Sequence, residues 1–124
     1  MYIKSYKELI VWQKSIKLVK EVFILTGLFP KSEIYGISSQ MRRASISIPS
    51  NIAEGYGRKS TKDYIRFYSI AFGSSLELET QLIIAKDLGF AEKNAFSKTD
   101  QLLEEVLRML NSMTTKMKQL KANG

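Results

Sequence analysis

The chain has 124 residues, 44% hydrophobic and 25% charged, and its 19 basic against 12 acidic side chains leave a net charge of +7. That length suits one domain, 1–124, and that balance is too apolar for a disordered chain. Cysteine and histidine are both absent, which excludes a disulfide framework, Ser-His-Asp catalysis and histidine-based zinc or di-iron sites.

The first predicted helix covers about 7–27. Leu9, Trp12, Ile16, Val19 and Phe23 recur in steps of 3 and 4 and read as a heptad seam. Val11, Leu18, Val22 and Leu25 lie beside the seam and widen the apolar face beyond what one helix pair needs. Lys7, Gln13, Lys14, Lys17, Lys20 and Glu21 fill the opposite arc, and Gly27 with Pro30 marks the stop.

A second helix is expected over about 35–56, with Ile37, Met41, Ala44 and Ile48 on its apolar face. Pro49 stands inside it and lacks the N–H that would bond the Ser45 carbonyl, so one helix kinked at Pro49 is predicted. From within this segment onward, residues 41–66 hold six basic and two acidic side chains, a net charge of +4.

The third helix, about 60–89, opens on Ser60-Thr61-Lys62-Asp63, the spacing of a capping box. Its seam is Tyr64, Tyr68, Ala71, Ser75, Leu78, Leu82 and Ala85. Ile65, Phe72, Leu76 and Ile83 form a second row, and Gly89 ends the helix. The fourth, about 92–121, carries Thr99, Leu103, Val106, Leu110, Met113, Met117 and Leu120 at alternating steps of 4 and 3. Sustained period-two alternation is absent, so no sheet is expected. Four helices with short connections predict an all-α, antiparallel up-down four-helix bundle.

The junction of the second and third helices reads GYGRKS and superficially suggests a phosphate-binding loop. With Lys59-Ser60 as the final pair, that motif needs glycine where Arg58 and Ala53 stand, and it needs a preceding strand. Both requirements fail. Gly55 and Gly57 are read instead as residues that let the chain leave the second helix. Arg58, Lys59, Lys62 and Arg66 remain as a candidate anion-contacting patch beside a helix N-terminus, with Lys14, Lys17 and Lys20 as a second set.

Counting back along the hairpin from the turn brings Arg42 and Arg43 near residues 73–77. An ion pair of at least one of these arginines with Glu77 or Glu79 is therefore expected. Tyr64, Phe67, Tyr68 and Phe72 interleave with Lys62 and Arg66. That pattern occurs on base-stacking surfaces, but at helical spacing a core role is expected. Glu104 and Glu105 point to different sides of a helix, and no carboxylate constellation emerges. No enzyme activity, cofactor or metal is expected.

Three long stretches carry a resemblance: LIVWQKSIKLVKEVF, FPKSEIYGISSQMRRASISIPSNIAEGYGRKS and IAFGSSLELETQLIIAKDLGF, together spanning residues 9–90. They resemble the 23S rRNA intervening-sequence proteins, to which the accessory proteins of diversity-generating retroelements are related. The resemblance implies an up-down four-helix bundle assembled as a homopentamer around a central channel, with RNA, DNA or a nucleic-acid enzyme as partner. It implies no catalytic residue. The residues independently point to self-association, because the apolar faces exceed what one bundle covers.

No apolar run approaches the about 20 residues of a membrane span, and MYIKSYKELI lacks the apolar core of a secretion signal. A cytoplasmic protein without a membrane partner is expected. The functional expectation is a non-enzymatic homo-oligomer that binds RNA or DNA electrostatically. The alternative is a protein-interaction scaffold for a nucleic-acid enzyme, without direct binding to nucleic acid.

Overall fold

A computed structural model describes residues 4–123, with side chains placed through residue 120. Among the described residues there are four α-helices and no strand: α1 (Ile10–Thr26), α2 (Ile37–Tyr56), α3 (Thr61–Asp87) and α4 (Ser97–Asn123). Short 3-10 turns at Tyr6–Glu8, Lys31–Glu33 and Lys93–Phe96 precede α1, α2 and α4. Each helix thus starts a few residues later than the periodicity suggests, except α3. Ser60 caps α3 as its sequence predicts, its Oγ accepting from the Asp63 N–H at 3.1 Å. Gly89 has φ +69°, the only positive φ among the described residues, and turns the chain out of α3.

α1 packs on α2 and α4, and α3 packs on the same two helices. The core fills the space between them with Leu18, Val22, Met41, Ile48, Ile52, Tyr68, Leu78, Leu82, Val106 and Leu110, each at most 1% exposed. In α3 the predicted seam is the buried one, apart from half-buried Tyr64. In α4 it holds from Thr99 to Leu110, after which Thr114 turns inward and Leu120 is left exposed.

In α1 the two apolar rows exchange roles. Val11, Leu18, Val22 and Leu25 are buried, with Ser15 among them, whereas the heptad seam of Trp12, Ile16, Val19 and Phe23 is half-buried or exposed. Both rows are equally apolar, so spacing alone does not rank them. Ser15 interrupts the inner row without cost because its hydroxyl donates to the Trp12 carbonyl at 2.7 Å.

α2 runs continuously through Pro49, which is itself buried. It approaches α3 closely: the Ser47 and Ser74 hydroxyls hydrogen-bond at 2.8 Å, and Gly55 lies against Tyr68. The glycines at this junction differ from the sequence expectation. Gly57 caps α2 with an ordinary right-handed φ of −76°. Gly55 is helical and serves packing: a Cβ there would stand 2.7 Å from two Tyr68 ring carbons, under any tolerable separation.

That ring is wholly buried and stacked on Tyr64, so displacing it disturbs the core. Gly55→Ala is expected to destabilise the fold by about 1–3 kcal/mol, despite alanine's better helix propensity. Chemical denaturation of the two proteins side by side measures this.

Candidate nucleic-acid interface

Two basic surfaces come from separate parts of the fold. The first is the α2–α3 junction, which carries Arg58, Lys59, Lys62 and Arg66. Arg58 reaches back one turn, its Nη2 donating to Glu54 Oε2 at 2.9 Å. Its guanidinium also lies 4.7 Å from the Phe67 ring centroid, and that of Arg66 lies 5.5 Å from the same ring. Phe67 thus holds two arginines beside the junction by cation–π attraction. Lys59 and Lys62 are exposed. Tyr68 stacks on Tyr64 at 4.3 Å between centroids and is sealed in the core, whereas Tyr64, Phe67 and Phe72 are half-buried. Burial, with the Tyr64 hydroxyl beside it, raises the Tyr68 pKa well above the ordinary tyrosine value.

The second surface is a groove of about 300 Å³ between α1 and α4. Lys14, Lys17 and Lys20 enter it from α1, at successive steps of three residues. Lys98 and Gln101 enter from α4. The opposing charges are Glu21 and Glu105. Lys14 Nζ meets Glu105 Oε2 at 2.6 Å, and this hydrogen bond holds the Glu105 carboxyl below the usual carboxylate range. Lys17, Lys20 and Lys98 remain against Glu21. Sequence reasoning named the three α1 lysines but not Lys98 or Gln101, which fall on a helix distant in the chain. The heptad from Lys98 to Glu105 was the available signal, since both project from one flank of α4.

Among the described residues Arg42 and Arg43 form no ion pair with Glu77 or Glu79. Arg42 Nε donates to Thr26 Oγ1 at 2.9 Å and its guanidinium lies 4.8 Å from the centroid of Phe23, both on α1. Glu77 accepts from Gln81 Nε2 at 3.1 Å on its own helix. The difference lies in the face that Arg42 takes on α2. Arg42 leaves α2 on the side turned to α1, whereas Ser47 and Gly55 supply the side turned to α3. The ion pairs among the described residues are Lys14–Glu105, Arg58–Glu54 and Lys86–Asp100.

Glu104 is exposed while Glu105 turns to α1, so the adjacent carboxylates diverge. Among the described residues no group of three or more metal-ligating side chains gathers. No helix there is long and apolar enough to cross a membrane.

A sequence model described as 23S rRNA-intervening sequence protein matches residues 7–112. The chain belongs to that family. A solved protein of unknown function from the S23 ribosomal protein family of Bacteroides thetaiotaomicron VPI-5482 shares the fold, with a TM-score of 0.78. It is 21% identical, and the alignment covers 86% of this chain and 96% of that one. No curated protein matches the sequence.

The family chain's Lys14–Glu105 pair makes a pH prediction. A carboxyl with a lowered folded pKa contributes stability above its unfolded pKa of about 4.3 and loses it as pH falls through the folded value. Glu105→Gln should therefore flatten stability against pH below about 4.3 and leave the neutral-to-basic part of the curve parallel to wild type. Urea midpoints taken across an acid titration test this.

Proposed function

We propose that this protein is a non-enzymatic, self-assembling four-helix bundle that binds the phosphate backbone of RNA or DNA through its α1–α4 lysine groove. The carrying observation is the gathering of Lys14, Lys17, Lys20 and Lys98 around one groove. A polyanion neutralised at several such lysines releases counterions, so affinity comes without base readout. The α2–α3 junction is a secondary surface, because Arg58 is already bound to Glu54. Family membership supports a nucleic-acid setting. The helices are inferred to run up and down, with a bend at Pro49 where the Ser45 carbonyl loses its donor. Assembly into a ring, five-membered by family likeness, would pool a charge of +7 per chain. A cytoplasmic setting accords with this reading.

A second reading is favoured by a larger, mainly apolar groove of about 1050 Å³, where Leu9, Ile10 and Val11 face Met109 and Met113. In that reading the protein docks a nucleic-acid enzyme and touches no nucleic acid itself.

Fluorescence anisotropy with labelled RNA and DNA over a salt series separates the two. Joint replacement of Lys17, Lys20 and Lys98 by alanine is expected to weaken binding and to make the log–log salt slope shallower, by about 0.7–0.9 for each phosphate that the variant no longer neutralises. Lys59→Ala with Lys62→Ala should weaken it less. Wild-type affinity that is negligible at low salt would instead favour the docking role.

A further inference from the structure

Two apolar faces stand on opposite sides of the protomer. On the first, Trp12, Ile16 and Val19 of α1 meet Ile46, Pro49 and Ala53 of α2 around a groove of about 320 Å³. Ile46 is 46% exposed there. The second is a flank of α3 on which Phe72, Leu76, Glu79 and Ile83 recur in steps of 4, 3 and 4. Lys86 continues the same row, and its ammonium meets Asp100 of α4 at 2.6 Å, which orients this flank toward the α4 side. Ile83 is 52% exposed. Since α1 and α3 each pack between α2 and α4, the α1–α2 groove and the α3 flank face away from each other.

Their charges are opposite. Arg42 stands one helical turn before Ile46 on α2, its guanidinium lies over Phe23, one turn beyond Val19 on α1, and it forms no ion pair among the described residues; Arg43 next to it in the chain is exposed. Glu79 is exposed in the middle of the α3 flank and likewise joins no ion pair among the described residues. A cation-rimmed apolar groove and an anion-bearing apolar ridge on one molecule are complementary to each other, and neither is complementary to itself. Pairing like face with like face would oppose Arg42 to Arg42 or Glu79 to Glu79.

We propose that these faces are the two halves of a head-to-tail interface between copies of this chain. The α1–α2 groove of one copy seats the Phe72, Leu76 and Ile83 ridge of the next, and Glu79 of the second copy meets Arg42 of the first. The inference rests on the self-assembly reading above and adds which surfaces meet. An interface between unlike faces leaves one of each free on a dimer, so it propagates until the geometry closes. It also explains why arginines and glutamates at similar heights on α2 and α3 leave each other unpaired within a protomer.

Mixing two face variants tests this. Ile46→Asp places a short carboxylate in the groove, and Ile83→Asp places one on the ridge; neither side chain can reach water past a closed interface. By light scattering at micromolar concentration, wild type should be multimeric and each variant a 14.2 kDa monomer. An equal mixture should return to a dimer of about twice 14.2 kDa, because one intact groove and one intact ridge survive in the pair. Circular dichroism confirms that each variant is helical; a variant that fails to fold is replaced by its serine counterpart and the mixture repeated. Two variants that remain multimeric alone would overturn the proposed faces while leaving self-assembly intact. Monomers that stay monomeric on mixing would overturn the head-to-tail pairing. A monomeric wild type would overturn the self-assembly reading, and this inference with it.

Discussion

The closest constraint in the fold lies between α2 and α3, where Gly55 faces the buried ring of Tyr68 with no room for a Cβ. A glycine and one large ring set the separation of the helices at that end. Further along, the Ser47–Ser74 hydrogen bond does the same with two short side chains that satisfy each other. α2 can then be rich in serine and alanine and still close-pack, because its neighbour comes near enough to use small side chains. Stacking of Tyr64 on Tyr68 follows from that placement, as does the exit of the chain through Gly57 and Arg58.

With α2 held tightly to α3, α1 and α4 must cover the remaining side of the core. Their own apolar faces are broader than this task requires. α1 turns its Val11, Leu18, Val22 row inward and leaves Trp12, Ile16 and Val19 on a groove with α2. The other edge of α1 brings lysines against α4, where Lys14 and Glu105 form a clasp and the remaining lysines line the groove. The two edges of one helix thus differ in character, one apolar and one charged. The two surfaces share no lining residue.

The absence of histidine and cysteine gives these surfaces their character. What remains is lysine, arginine, carboxylate and apolar area, groups suited to long-range attraction and interface burial. Arg42 illustrates a mixed use. Its Nε is tied to Thr26 and its guanidinium lies over Phe23, so the orientation of the charge is fixed from two sides.

The amino-acid sequence by itself determined the elements: four apolar periodicities, the Ser60 cap, the Gly89 exit and the lack of any strand pattern. These are local properties, set by side chains within a few residues of one another, and the family resemblance rested on equally local strings. It also placed Lys14, Lys17 and Lys20 together, since they share one arc of one helix. Only the tertiary structure decided which of two equally apolar rows on α1 would be buried, that Arg42 would face α1 and not α3, and that Lys98 would join the α1 lysines. The packing role of Gly55 belongs with these. All depend on the rotation of each helix about its own axis against its neighbours. Spacing along the chain does not encode that rotation when more than one face could serve as the core.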